Sequence, residues 1–164
     1  MAKVITFSKY FPSYHPKAGQ KTFFAEQIHN SLYSHNSECF LDLHNALNHV
    51  IELDADFLGE KHHTIRKGNR FKVGDEFSPR VWAGKPYRSK QIIIAPNIVV
   101  AKVWEIEVLI RGDFKEFIIH PQTKQPLSVA EVAANDGLEL NNFLAWFNKP
   151  FYGQIICWDN EIVY

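Results

Sequence analysis

The chain has 164 residues, of which 46% are hydrophobic and 14% are aromatic. This length and composition predict one folded globular domain with a substantial core and exclude a disordered chain. The 18 Lys and Arg residues balance the 18 Asp and Glu residues, so the formal net charge is zero. The chain therefore lacks the overall basic field of a large nonspecific nucleic-acid binder, although a local basic patch stays open.

No secretion or membrane signal is recognisable in the sequence. The opening residues, MAKVITFSKY, contain no long apolar run of the kind that signal peptides carry. No apolar stretch approaches the roughly 18 residues that a membrane span needs. The two cysteines, Cys39 and Cys157, lie far apart and form no Cys-x-x-Cys pair. We therefore expect a soluble protein of the reducing cytoplasm with no membrane partner.

The first third of the chain predicts a strand followed by helices. Lys3–Ser8 is rich in β-branched and apolar residues, which favours a strand. Thr22 is a candidate N-cap for a helix that runs to about Tyr33. Between residues 34 and 56, apolar residues recur at spacings of three and four, which favours a second helix.

The remainder of the chain is dominated by predicted strands. A Gly74-Asp75 turn precedes a strand that begins near Glu76. Ile- and Val-rich or alternating stretches predict further strands at 91–96, 98–110 and 114–120.

Two short helices and a last strand complete the predicted elements. A capping box at Ser128–Glu131 predicts a helix that stops at residues 135–137. A second helix is expected over Leu140–Phe147, and a closing strand over residues 153–164. The elements together predict an α+β fold, in which a small curled sheet carries helices at its ends.

Histidine is abundant, so we considered a metal site. His44 and His49 are five residues apart, which places them on different faces of a helix. His62 and His63 are adjacent, so in an extended chain they point to opposite sides. Neither pair has a carboxylate or thiol at ligand spacing, and no phosphate-loop, dinucleotide-binding or Gly-x-Ser-x-Gly motif occurs. We therefore expect neither a metal nor a cofactor.

The segment GEKHHTIRKG, residues 59–68, collects basic and imidazole side chains around a threonine. It resembles the signature of the ASCH family, a branch of the PUA-like β-barrels, in the order Gly59, Lys61, Thr64 and Arg66. The likeness continues in KVGDEF, AANDGL and GQIICW, and covers roughly residues 57–164 with the first strand and helix. It implies one domain over 1–164, a PUA-like mixed β-barrel of five to six strands with flanking helices. Residues 34–56 would then be a helical insertion.

The Lys-x-x-Thr spacing is similar to that of one branch of this family, the amidohydrolases that deacetylate acetylated cytidine. Their catalytic lysine, threonine and downstream glutamate correspond to Lys61, Thr64 and Asp136, the last being one methylene shorter. The resemblance implies a metal-free amidohydrolase acting on an acylated nucleobase or nucleoside. Other members are similar to RNA-binding proteins or ribonucleases, so a module that binds or cleaves single-stranded RNA is the alternative. A ligand-binding regulator without catalysis is a third reading.

The residues of this segment can be tested against the chemistry of amide hydrolysis. That reaction needs a nucleophile, a base and donors for the oxyanion. The Thr64 hydroxyl would be the nucleophile and the neutral amine of Lys61 the base, which requires a lowered lysine pKa. Burial or the nearby cations Arg66, His62 and His63 would lower it.

Asp136 would orient Lys61 or transfer a proton to the leaving amine. Because residues i and i+3 of a strand face opposite sides, Lys61 and Thr64 converge only if a turn intervenes, which Gly59 makes plausible. The alternative is that Lys61 and Arg66 are solvated charges and that Thr64 is a barrel residue.

The segment VWAGKPYRSKQ, residues 81–91, interleaves aromatic and basic side chains. Such a run suits stacking on a base while a phosphate is held, although Trp82 would equally fill the core beside solvated cations. The loop at 13–21 is a weaker candidate for the rim of a pocket. The partner is expected to be a small nucleoside-like ligand or single-stranded RNA. Its predicted binding residues are His63, Arg66, Trp82, Tyr87 and Arg88.

Overall fold

The computed structural model describes residues 1–33, 47, 58–119, 125–126 and 128–164. Of the predicted helical insertion at 34–56, only Leu47 lies within the described residues, and its side chain is buried in the core. Cys39 and the helix predicted around it lie outside them.

The described residues form nine strands and three helices. The strands are β1 (Lys3–Phe7), β2 (His63–Lys67), β3 (Glu76–Trp82), β4 (Gln91–Ile93), β5 (Ile98–Val99), β6 (Lys102–Arg111), β7 (Phe114–Ile119), β8 (Gln125–Pro126) and β9 (Phe151–Cys157). The helices are α1 (Phe24–Tyr33), α2 (Val129–Asn135) and α3 (Leu140–Trp146).

The strands pair into two sheets. In the four-stranded sheet, β3 lies between β1 and β4 and also pairs with β5; only the β1–β3 pairing is parallel. The five-stranded sheet has the order β2-β9-β6-β7-β8 and is antiparallel throughout. The α+β class is therefore confirmed. Over the described ranges the pairings do not close a barrel, and the predicted count of five to six strands is exceeded.

The predicted strand at 98–110 is divided in the structure, because the chain changes sheets there. The Val100 N–H donates to the Asp75 carbonyl beside the first sheet, whereas the Ala101 N–H donates to Cys157 in the second. β5 therefore ends at Val99 and β6 begins at Lys102. A continuous apolar run carries no local mark of such a change of partner.

The closing strand is shorter than the sequence predicts, since β9 ends at Cys157. The segment 158–164 leaves the sheet and is tied down by Lys102, whose ammonium donates to the carbonyls of Asn160 and Ile162 at 2.6 and 2.5 Å. This course carries Tyr164 back to β2, where its hydroxyl meets His63.

The core lies between the two sheets and the helices. Ile5, Phe77, Ile106 and Ile155 contribute from the strands and Ile28 from α1, and none of them is more than 3% exposed. Apolar area removed from water on this scale is the main source of stability in a domain of this size.

Helix α1 begins in an unusual conformation beside the end of β1. Phe23 has φ 60, in the left-handed region that bulky residues rarely adopt. The predicted cap, Thr22, donates to the Ser8 carbonyl at 2.5 Å and accepts from the Phe24 N–H at only 3.4 Å. Thr22 therefore ties the start of the helix to the end of β1 more than it caps the helix.

Candidate functional site

The segment that carries the Lys-x-x-Thr spacing enters β2 through a turn. Gly59 has φ 77, and β2 begins only at His63. Before the strand starts, the Lys61 N–H donates to the Gln27 carbonyl at 3.1 Å and the His62 N–H to Asn135 at 2.8 Å. Lys61 precedes β2, so the alternation of side chains along the strand does not force it to the opposite face from Thr64.

Asp136 is positioned by the end of α2. The N–H groups of Gly137 and Leu138 donate to the carbonyls of Ala134 and Ala133, which is the pair of bonds of a Schellman motif. Gly137 takes the left-handed conformation that this motif requires, with φ 78. The Gln27 side chain donates to Leu58 and Gly137 carbonyls at 2.8 and 2.9 Å, so α1 clamps both segments together.

These two segments bring Lys61 and Asp136 into direct contact. The ammonium donates to Asp136 Oδ1 and to the Asp136 carbonyl, both at 2.6 Å, and lies 4.2 Å from the centre of the Phe24 ring. Lys61 is 1% exposed and Asp136 is 5% exposed. A buried ion pair at this distance is a strong, charge-assisted interaction.

Burial and charge act in opposite directions on this pair. Burial lowers the pKa of the Lys61 ammonium; Asp136 opposes this effect and Arg66 adds to it. Burial would raise the pKa of the Asp136 carboxyl, but Lys61 and His63 outweigh it and hold that pKa below its usual value. Asp136 is therefore ionised at neutral pH, while Lys61 loses its proton at a lower pH than a surface lysine does.

Thr64 and Arg66 share a cavity with the ion pair. The cavity has a volume of about 50 Å³ and is lined by Lys61, Thr64, Arg66 and Asp136 together with the rings of Phe7, Phe24, Trp146 and Phe147. We call this space the reactive cavity, because a hydroxyl, an amine and a carboxylate line it.

Arg66 lines the reactive cavity and contributes a positive charge there. Its Nη2 donates to the Thr6 carbonyl at 2.8 Å, and its guanidinium lies 5.4 Å from the Phe7 ring centre. Its Nε is buried without a partner among the described residues. An unpaired buried donor costs free energy, which a bound acceptor would offset.

His63 lies behind Asp136 and does not line the reactive cavity. Asn135 Nδ2 donates to the Tyr164 hydroxyl at 2.9 Å, and that hydroxyl is 2.7 Å from His63 Nε2. If Tyr164 donates to Nε2, the proton of the neutral ring is on Nδ1, which lies 3.5 Å from Asp136 Oδ1. Burial lowers the pKa of His63, in agreement with a neutral ring. The residue predicted to touch a ligand is therefore absent from the lining of the reactive cavity and lies close to Asp136.

The end of β3 and the loop at 83–90 hold the other predicted binding residues. The ring centroids of Trp82 and Tyr87 are 5.2 Å apart, and Tyr87 is 88% exposed with φ 61. Arg88 is also exposed. The Tyr87 phenol acts on the pKa of Arg66, so the loop lies within electrostatic reach of the reactive cavity. Trp82 is half-buried, which decides neither for a role in stacking on a base nor for a place in the core.

A second cavity adjoins the first, and Ser8 and Phe24 line both. It measures about 170 Å³ and lies between the end of β1 and the start of α1, with Tyr10, Phe23 and Glu26 in its wall. Glu26 is 6% exposed. Sequence reasoning missed Glu26, and the only available signal was an acidic residue on a predicted apolar helix. Lys21, from the loop proposed as a rim, does line this cavity.

The described residues contain neither a candidate metal site nor a helix that could span a membrane. Among them, no group of three or more His, Cys, Asp or Glu side chains is arranged to hold a metal ion. None of the described helices combines the length and apolar character that a membrane crossing requires. The Cys157 thiol is buried, which raises its pKa to about 11 and disfavours the thiolate.

Comparison with known proteins adds no further assignment: no protein-family model, no curated protein and no solved structure matches this chain.

Proposed function

We propose that this chain is a metal-free amidohydrolase that removes a small acyl group from an acylated nucleobase or nucleoside, with an ASCH-like, PUA-like domain as its scaffold. The observation that carries the proposal is the buried Lys61–Asp136 contact at 2.6 Å in a cavity that Thr64 and Arg66 also line. A nucleophile, a base, a carboxylate and an oxyanion donor are the groups that acyl transfer from nitrogen requires.

The sizes of the two cavities support a small acyl group attached to a larger ligand. The reactive cavity, at about 50 Å³, has room for an acetyl-sized group but not for a nucleoside. Ligand pockets usually measure roughly 300–1,000 Å³, so the rest of the ligand would occupy the adjoining cavity and the open space beside it. The adjoining cavity provides about 170 Å³ of that space.

The reaction follows from the roles of the cavity residues. The Thr64 hydroxyl attacks the acyl carbonyl carbon and gives its proton to the neutral Lys61 amine, while the Arg66 Nε–H donates to the oxyanion. The carbon–nitrogen bond then breaks, and the Lys61 ammonium returns the proton to the leaving nitrogen. Water attacks the threonine ester in the same manner, giving a carboxylic acid and the free hydroxyl. Asp136 holds the Lys61 amine in position throughout.

The pH dependence follows from the lowered pKa of Lys61. Since the neutral amine is the base, activity is expected to rise with pH through the folded-state pKa of Lys61 and to level off above it. Burial moves that rise to lower pH than an exposed lysine would give.

The test is hydrolysis of N4-acetylcytidine by protein that has been dialysed against a chelator, with the release of cytidine measured by chromatography. We expect turnover that chelation does not change. Thr64→Ala should lower kcat by at least about 1,000-fold, while Thr64→Ser keeps a hydroxyl and should keep most of the rate. Full activity in Thr64→Ala would refute the nucleophile assignment. Absence of turnover on acylated nucleobases and nucleosides would refute the proposed function.

A module that binds single-stranded RNA is the second candidate, and the exposed loop at 83–90 favours it. Tyr87 is 88% exposed beside the half-buried Trp82, and Lys85, Arg88 and Lys90 carry positive charge in the same loop. Exposed rings next to cations are suited to stacking on bases and contacting phosphates.

A further inference from the structure

The adjoining cavity contains a buried carboxylate that the proposed chemistry does not use. Glu26 lies in its wall and is 6% exposed. Burying an ionised carboxylate is costly unless charges or hydrogen-bond donors compensate it. Glu26 is the third residue of α1, where the positive end of the helix dipole stabilises a negative charge. The site can therefore hold an acceptor-only group in an enclosed space.

The adjoining cavity, which Glu26 lines, is the space proposed above for the part of the ligand beyond its acyl group. Ser8 and Phe24 line both cavities, so Glu26 and Thr64 line neighbouring cavities that share these two residues. A carboxylate accepts hydrogen bonds and repels other acceptors, and its two oxygens offer about four acceptor positions. It can thus bind ligand donors in addition to any contact with the protein.

The chemistry of an acylated cytidine then identifies the donor. Its exocyclic amide is in the reactive cavity, and the remaining edge of the base offers N3 and O2, which are acceptors that a carboxylate repels. The only other donors on the molecule are the hydroxyls of the sugar. Carboxylates bind ribose hydroxyls in the same manner in dinucleotide-binding folds.

We propose that Glu26 binds the 2′ and 3′ hydroxyls of the substrate sugar, so that the protein recognises an acylated ribonucleoside in preference to the free base or a sugar that lacks these two hydroxyls. This inference rests on the proposed function for its substrate class. Tyr10 and Phe23 form the aromatic part of the same wall. The left-handed conformation of Phe23, with φ 60, is the kind of local strain that is found at ligand clamps.

The test measures binding rather than turnover. Calorimetry on the Thr64→Ala protein would compare cytidine, 2′,3′-dideoxycytidine and cytosine. Because a hydrogen bond to a charged group contributes about 1.5–3 kcal/mol, cytidine should bind at least roughly 10-fold more tightly than the other two ligands. Equal affinity for all three ligands would overturn the proposal. This comparison needs no variant of Glu26.

A variant pair assigns the effect to Glu26. Glu26→Gln keeps the size of the side chain and should weaken cytidine binding about 10-fold while leaving dideoxycytidine unchanged. The matched control is Asp113→Asn, which removes an exposed carboxylate from the turn between β6 and β7. An unchanged preference for cytidine in folded Glu26→Gln would overturn the assignment.

The two proposals fail separately. Preference for the sugar hydroxyls without hydrolysis of acetylcytidine would refute the amidohydrolase function and leave the sugar site. Hydrolysis without that preference would refute the sugar site and leave the amidohydrolase.

Discussion

Asp136 contacts Lys61 directly, although it is one methylene shorter than the glutamate that the proposed function would place there. Its contact with the ammonium is 2.6 Å, because the Schellman motif at the end of α2 and the Gln27 clamp bring its backbone close to Lys61. The backbone carbonyl of Asp136 accepts a second bond from the same ammonium. The shorter side chain is thus compatible with the proposed role, since the backbone makes up the distance.

His63 provides a prediction at the scale of single residues. If its Nδ1–H stabilises Asp136, His63→Leu should lower kcat about 10-fold, because a donor 3.5 Å from the charged Asp136 oxygen is lost, and should leave KM unchanged. His63→Asn keeps a donor near the position of Nδ1 and should restore most of the rate. The measurement is the kcat and KM of both variants on acetylcytidine, with circular dichroism to confirm folding. Equal losses in the two variants would reduce His63 to a packing residue.

At the scale of elements, the turn after α2 determines where Asp136 lies. A Cβ on Gly137 would lie 2.3 Å from Gln27 Oε1, and the Gln27 side chain cannot move freely because both its amide hydrogens are bonded. Gly112 also has a positive φ, but its Cβ would meet nothing within 4 Å. An alanine at either position would therefore be strained in the left-handed conformation, but only an alanine at residue 137 would also collide with Gln27.

This difference gives a prediction for the two glycines. Gly112→Ala should lower the free energy of unfolding by about 1–2 kcal/mol through left-handed strain alone. Gly137→Ala should cost roughly 1–3 kcal/mol more, since the Gln27 bonds are displaced, and should also lower kcat. Urea unfolding of both variants measures the difference. Equal destabilisation would mean that Gln27 does not clamp the turn.

The elements that local patterns specify were predictable from the sequence. The first strand and both later helices lie within a residue or two of their predicted ends, because periodicity and turn residues act over a few positions. The parallel pairing of β1 with β3 aligns Lys3 with Phe77 and leaves no local signal. The same holds for the change of sheets at Val100.

The residues of the candidate site also divide into those that the sequence predicted and those that depend on contacts between distant segments. The family resemblance in the Lys-x-x-Thr spacing and in AANDGL implied the three residues that the structure brings together around the reactive cavity. The placement of His63 behind Asp136 depends on Tyr164, which lies 101 positions away in the sequence. The place of Glu26 depends on how α1 packs beside β1. Contacts between distant segments are made by the whole core, and no short pattern encodes them.

At the scale of the whole molecule, the balance of charge bears on the RNA alternative. The formal net charge is zero, so attraction to RNA would depend on the cations of the loop at 83–90 and not on an overall field. Lys85, Arg88 and Lys90 are all in that loop, and its exposed ring is Tyr87. An RNA-binding module of this kind would show a definite dependence on salt.

If the three loop cations contact phosphates, affinity for single-stranded RNA should fall about 20-fold between 50 and 200 mM salt, since each contact on a single strand contributes a slope of roughly −0.7. Fluorescence anisotropy with a labelled oligonucleotide measures this slope. Arg88→Ala should make it shallower by about 0.7, whereas Arg111→Ala, which removes an exposed arginine at the end of β6, should not change it. Weak binding that is insensitive to salt and to both variants would exclude the RNA function.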